Sequence, residues 1–185
     1  MRLAVIAAVL TASASVASAG TYLGLGIGPA AGVNGDAGAY GSGSFEGAGR
    51  SYRLLGGFRV GRLAVEGSIT GQDLLFTGNN GMGFEGRELA VAGVYNHPLG
   101  SGFEAYGKLG VHRTWLSADG GFDGMYDVSG DGLLVGGGFA LRLNAVLASG
   151  AVFVDYTHHA ADMSGDRYAF EGGVGMWMLG FTFGI

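Results

Sequence analysis

Met176-Trp-Met-Leu-Gly-Phe-Thr-Phe-Gly-Ile185 closes the chain, and its alternation decides the fold. Trp177, Leu179, Phe181, Phe183 and Ile185 share one parity, while Met178, Gly180, Thr182 and Gly184 share the other. Successive residues of a β-strand point to opposite faces, so one side of this strand carries large apolar groups and the other small or flexible ones. In water, an unpaired strand of that kind would template aggregation. It is stable if its apolar face meets lipid and both of its edges are paired in a closed barrel. That closure is how a sheet satisfies every backbone group in hydrocarbon.

The opposite terminus is consistent with export. Met1-Arg2 is a short basic start, Leu3 to Leu10 is an apolar run, and Ala17-Ser18-Ala19 offers small residues before Gly20. This pattern predicts a secretory leader, residues 1–19, cleaved to leave one domain over residues 20–185. Loss of Arg2 would take one positive charge from the formal −5, giving −6. No cysteine follows the cleavage site, so a lipid anchor is not expected, and the chain has no thiol or disulfide chemistry. Forty glycines raise the question of disorder, but 48% apolar against 14% charged residues is too hydrophobic for a disordered chain. Glycine does not recur every third residue, which excludes collagen. No apolar run after residue 19 is long enough for a membrane helix. The acidic balance argues against a nucleic-acid partner.

Eight segments alternate in the same manner. Leu23, Leu25 and Ile27 oppose glycines between Tyr22 and Gly28. Over residues 51–60, Tyr52, Leu54, Phe58 and Val60 oppose Arg53, Leu55, Gly57 and Arg59. A Gly61-Arg62 turn leads to Leu63, Val65 and Ile69 set against Ala64, Glu66, Ser68 and Thr70. Residues 87–96 set Leu89, Val91 and Tyr95 against Glu88, Ala90, Ala92 and Val94. Residues 103–116 set Phe103, Leu109, Val111 and Trp115 against Glu104, Tyr106, Lys108 and His112. Residues 133–143 set Val135, Phe139, Leu141 and Leu143 against Leu134, glycines, Ala140 and Arg142. Residues 151–158 set Val152, Val154 and Tyr156 against Phe153, Asp155 and Thr157, and the last segment covers residues 168–185. Short connections (61–62, 96–102, 144–150) alternate with longer glycine-rich ones (29–50, 71–86, 117–132, 159–167). The prediction is an all-β, eight-stranded, antiparallel up-and-down transmembrane barrel with both termini on the periplasmic side.

Charge decides which face is inside. The polar faces carry Arg53, Arg59, Lys108 and Arg142 with Glu66, Glu88, Glu104 and Asp155, four of each sign. An Arg or Lys facing lipid at the midplane costs roughly 2–4 kcal/mol, so these eight are expected in the lumen as an ion-pair network. A soluble barrel could instead turn them to water, but its narrow core would then hold Tyr52, Phe58, Tyr156, Trp177, Phe181 and Phe183 beneath a surface of glycine. Tyr52, Tyr95, Trp115, Tyr156 and Trp177 on the outer face fit an interfacial aromatic girdle.

Short motifs extend this reading. Gly57-Phe-Arg59-Val-Gly61-Arg-Leu-Ala-Val-Glu66 looks like the second hairpin of the outer membrane protein A-like and opacity-like barrels, in which an inward basic residue is followed by an inward Glu. Tyr106-Gly-Lys108-Leu-Gly110 is similar to that family's fifth strand, and Phe153-Val-Asp155-Tyr156 resembles its seventh, with Asp155 where Glu is commoner. The C-terminus resembles the signal for insertion into the outer membrane, through Met178, Gly180, Phe183 and Ile185, with Ile185 in place of the usual Phe. The resemblance implies a Gram-negative outer-membrane protein with an ion-paired interior. The peptidoglycan-binding domain that often follows such barrels is not expected, because the chain stops at the last strand. The expected partners are outer-membrane lipid and lipopolysaccharide, the barrel-assembly machinery during insertion, and a surface partner reached through the loops.

No catalytic residue, metal site or cofactor is expected. The lumen charges have a structural reading, since buried charges must be paired, and a pore reading in which pairs such as Arg59 and Glu66 gate small solutes. His158 and His159 with Ser164 sketch an envelope-lipid hydrolase, but the residues two beyond the histidines are Ala160 and Ala161, where barrel lipases have Ser. The pair reads better as rim residues, and neighbouring histidines on a strand face opposite ways. His97 sits before Pro98 in an expected turn, and His112 points inward. Asp119, Asp123, Asp127 and Asp131 recur at spacing four, which is not the spacing of a calcium loop.

Overall fold

The computed structural model describes residues 19–29, 31–36, 42–45, 49–76, 82–119, 128–145, 148–164 and 169–184. The expected leader up to residue 18, Asp123, Asp127 and Ile185 lie outside them. Ten strands form one antiparallel sheet: β1 (Ala19–Pro29), β2 (Gly32–Asp36), β3 (Ser42–Phe45), β4 (Arg50–Val60), β5 (Leu63–Phe76), β6 (Met82–Gly100), β7 (Phe103–Asp119), β8 (Val128–Ala145), β9 (Ala148–Ser164) and β10 (Ala169–Gly184). No helix occurs among the described residues.

Eight of these strands close the barrel. Each long strand pairs with the next in sequence, β1 pairs with β4, and β1 meets β10 in the register Leu23↔Phe183 and Leu25↔Phe181. The sheet therefore has no free edge where the lipid-facing residues lie. Outward positions along β7 run Phe103, Ala105, Gly107, Leu109 and Val111 before reaching Arg113. Those ten steps (103 to 113), at ~3.4 Å each and tilted by ~40°, span roughly 26 Å, which matches the apolar belt of an outer-membrane barrel. Arg113 ends the belt in an exposed ion pair with Asp131 of β8.

The strands are longer than the alternation alone suggests. β5 and β6 continue to residues 76 and 82, β7 and β8 to 119 and 128, β9 and β10 to 164 and 169. The expected long connections 71–86, 117–132 and 159–167 shrink accordingly. Beyond the belt water bathes both faces, so nothing enforces alternation, yet backbone pairing can continue. The remaining connection, expected as a loop over residues 29–50, contains the β2–β3 hairpin. β10 has one edge to share, and β1 takes its lower part (Leu179–Gly184) while β2 takes the upper part, from Glu171↔Asp36 to Gly175↔Gly32.

At the opposite end, where β1 starts and β10 finishes, the turns are tight. Gly61 has φ +60° at the first central position of its hairpin, where a type II′ turn calls for glycine. The β6–β7 turn strings together positive φ at Gly100, Ser101 and Gly102 after a register shift near Pro98. His97, expected in the turn, is still in strand opposite Ala105. Arg62 O accepts from Asn96 N at 2.7 Å and Gly102 O from Arg142 N at 2.8 Å, tying both turns to neighbouring strands.

The outer face is not uniformly large. Tyr52, Tyr95 and Tyr156 each stand opposite an outward glycine, Gly71, Gly107 and Gly137. The Tyr156 ring lies instead over Gly175 of β10, where a Cβ would run into it.

Candidate functional site: the charged lumen

Inward positions of all eight barrel strands converge on the lumen, which holds three charge clusters at successive levels. β7 marks their spacing, because Glu104, Lys108 and His112 are four residues apart on its inward face, about 13 Å per step.

Nearest the turn end, Glu104 receives Arg59 in a two-pronged pair, Nη1 to Oε2 at 2.8 Å and Nη2 to Oε1 at 2.9 Å. Arg142 Nε reaches the same Oε2 at 2.9 Å. Paired planar groups of this kind are among the stronger protein hydrogen bonds. The cluster carries two cations and one anion.

The middle level is cross-linked by ion pairs. Lys108 Nζ bridges Glu66 Oε1 at 2.8 Å and Asp155 Oδ2 at 2.7 Å. Arg53 approaches Asp155 at 3.3 Å and donates to Thr157 Oγ1 at 3.0 Å and Thr70 Oγ1 at 3.3 Å. Tyr22 donates its hydroxyl to Glu66 Oε2 at 3.1 Å, and the Tyr106 ring lies beneath the Lys108 ammonium, 5.3 Å from centroid to Nζ. Two cations meet two anions, and every member is at least nine-tenths buried. Leu55, Phe153, Met176 and Met178 pack around them.

Toward the hairpin end, Glu88 faces His112 and His159 rather than a lysine or arginine. The three come from β6, β7 and β9. β8 lies between the last two and carries Gly132 at that level, where a Cβ would collide with Ala160 O and come within 2.8 Å of His112 Nε2.

A cavity of about 340 Å³ opens at the turn end and runs past Arg59, Glu104, Arg142 and Tyr106 to Glu66 and Lys108. Arg53, Asp155 and the Glu88 cluster do not line it, so it is a vestibule that ends at the middle level.

All eight charged residues singled out in the sequence thus face inward, but their partnerships are not those that nearness in sequence suggests. Arg59 and Glu66 flank one hairpin, yet Arg59 is held by Glu104 and Glu66 by Lys108. Glu88 stands apart from the other seven. His159 is not a rim residue: it is fully buried in the lumen, because the inward series Phe153, Asp155, Thr157 continues through it. Carrying that parity two residues past Thr157 would have found it. His158 faces outward, exposed, so the two histidines of the hydrolase sketch are on opposite sides of the wall. Ser164 belongs to β9, opposite Ser129 and Ala169.

Of the C-terminal residues, Met178 is buried in the lumen, Phe183 is exposed outside, and Gly180 leaves room for the Phe153 ring, which a Cβ there would overlap. Tyr52, Tyr95, Trp115, Tyr156 and Trp177 are all exposed on the outer wall. The Tyr156 and Trp177 rings lie 5.1 Å apart, and Arg113 sits over Trp115.

No protein-family model matches the chain, and no curated protein gives a significant sequence match. Solved structures do resemble it. Neisserial surface protein A superposes with a TM-score of 0.61 at 16% identity, over 88% of this chain and 95% of that one. Ail, the attachment invasion locus protein of Yersinia pestis, solved with the heparin analogue sucrose octasulfate, gives 0.58 at 17% identity, over 90% and 99%. The outer membrane protein OprG of Pseudomonas aeruginosa gives 0.54 at 15% identity, over 90% and 95%. The chain has the fold of the eight-stranded outer-membrane β-barrels, the fold that its sequence motifs suggested.

Proposed function

We propose that this protein is an integral outer-membrane barrel of a Gram-negative envelope with a structural and surface-interaction role, not a conduit. The observation that carries the proposal is the middle level of the lumen, where Arg53, Asp155, Lys108 and Glu66 interlock across the interior and the vestibule ends against them. Moving an ion through would require separating charges buried in a low-dielectric interior, at several kcal/mol for each one left unpaired. The turn end, where β1 starts and β10 finishes, would face the periplasm. Lipid and lipopolysaccharide would surround the apolar wall, and the assembly machinery would read the C-terminal strand during insertion. The β2–β3 hairpin and the strand extensions above the belt would present the surface to a partner. Similar barrels named for surface location and for attachment and invasion support this reading.

A narrow channel is the second reading, and the polar vestibule favours it. Single-channel recording separates the two. Refolded protein, shown folded by its heat-shifted gel mobility, should be electrically silent in a planar bilayer; discrete, reproducible steps would overturn the structural reading. The hydrolase sketch loses its pair of histidines, because His158 and His159 are divided by the wall, and no catalytic role is proposed.

A further inference from the structure

We propose that Glu88, His112 and His159 form a binding site for a divalent transition-metal ion in the upper lumen, on the far side of the central ion pairs from the vestibule. Their ligand atoms lie within 4.8 Å of one another, and all three side chains are at least nine-tenths buried. Two imidazoles and one carboxylate, without thiolate, form a donor set suited to zinc and its first-row neighbours.

Proximity alone would be weak support, because buried polar residues often cluster. Hydrogen bonding supplies the second observation. Among the described residues, neither ring nitrogen of His159 nor Oε1 of Glu88 has an aligned hydrogen-bond partner, although all are buried. His159 Nδ1 stands 2.8 Å from Glu88 Oε2 without the alignment of a hydrogen bond. Leaving such groups unsatisfied in an interior is costly, and proteins rarely tolerate it.

His112 is arranged as a ligand. Its Nε2 is 3.2 Å from Ala160 O, a group that can only accept, so Nε2 carries the proton. That leaves the lone pair on Nδ1, which is turned toward Thr114 Oγ1 at 3.1 Å and Glu88 Oε2 at 3.7 Å. A ligating histidine typically anchors its other ring nitrogen on a carbonyl in this way. The two imidazoles meet edge to face at 5.0 Å, so they do not stack and block each other's nitrogens.

Charge distribution points the same way. The turn-end cluster has one cation in excess and the middle level is neutral, whereas Glu88, among the described residues, has no lysine or arginine partner. That excess cation belongs to the Glu104 cluster, beyond the neutral middle level. A bound divalent ion would compensate the Glu88 charge and take up one ring nitrogen of His159 together with a Glu88 oxygen. Donors around a tetrahedral ion sit roughly 3.3 Å apart, so the side chains would draw in by about an ångström, leaving at least one coordination position open.

The test is equilibrium zinc binding to tag-free refolded barrel, first stripped of metal and shown folded by gel mobility, with bound metal measured by mass spectrometry. Cobalt(II) substitution supplies a visible ligand-field spectrum that reports imidazole ligation. Folded protein should bind one zinc per barrel. Glu88→Gln, His112→Ala and His159→Ala should each lose stoichiometric binding, while His158→Ala, on the outer wall, should keep it. His159→Gln, which retains the volume, replaces His159→Ala if the latter fails to fold. Absence of stoichiometric zinc from the folded wild type, or full binding by the folded His112→Ala/His159→Ala double variant, would overturn the proposal.

Discussion

Asp155→Asn is the sharpest test of the lumen's architecture. Its carboxylate is fully buried and neutralises two cations, with Oδ2 2.7 Å from Lys108 Nζ and 3.3 Å from Arg53 Nη1. After the substitution Lys108 keeps Glu66 at 2.8 Å, but Arg53 retains only neutral partners, Thr70, Thr157 and the Met176 sulfur. One buried guanidinium is thus left without an anion, which costs about 3–5 kcal/mol. With a urea slope of about 1–3 kcal/mol per molar, the unfolding midpoint should fall by roughly 1–5 M. Removing the orphaned cation as well, in Arg53→Met/Asp155→Asn, should recover much of that loss, because the double variant leaves no unpaired charge. The exposed pair Arg113–Asp131 is the control, and Arg113→Ala should shift stability by less than ~1 kcal/mol. Urea titration in lipid vesicles, read by heat-shifted gel mobility and tryptophan fluorescence, measures all three. A midpoint for Asp155→Asn that matches the Arg113→Ala control would refute the claim that this network holds the lumen together.

Three further outcomes follow from the same geometry. Gly132→Ala should prevent stable folding, because its Cβ would collide with Ala160 O and crowd His112, whereas Gly71→Ala on the outer wall meets nothing within 4 Å and should fold normally; the folded fraction after refolding measures both. Leu109→Arg places a charge on the lipid face in mid-belt, at an outer position that is 66% exposed, and should destabilise the barrel by roughly 2–4 kcal/mol in vesicles, by urea titration. If zinc occupies the Glu88 cluster, a free concentration one hundred times its Kd should stabilise the wild type by about 2.7 kcal/mol. The same titration should leave His159→Ala unmoved, and removal of the metal with a chelator should reverse the gain.

By itself the sequence determined the strand count of the barrel and which residues face lipid or lumen. Both follow from parity, a local property: once Leu109 faces lipid, Lys108 must face inward. Strand ends were legible only inside the apolar belt, since alternation is enforced there and not in water, and so the extensions of β5 to β10 and the β2–β3 hairpin escaped notice. The partners of the inward charges belong to the tertiary structure alone. Arg59 of β4 reaches Glu104 three strands away, and Asp155 of β9 reaches Arg53 of β4 across the lumen. Such contacts depend on strand register and on closure through β1, which set the height of each side chain and which walls face each other. Glu88, His112 and His159 are the clearest case. They stand on three different strands, β6, β7 and β9, and only the closed barrel, with glycine at position 132, brings the three together.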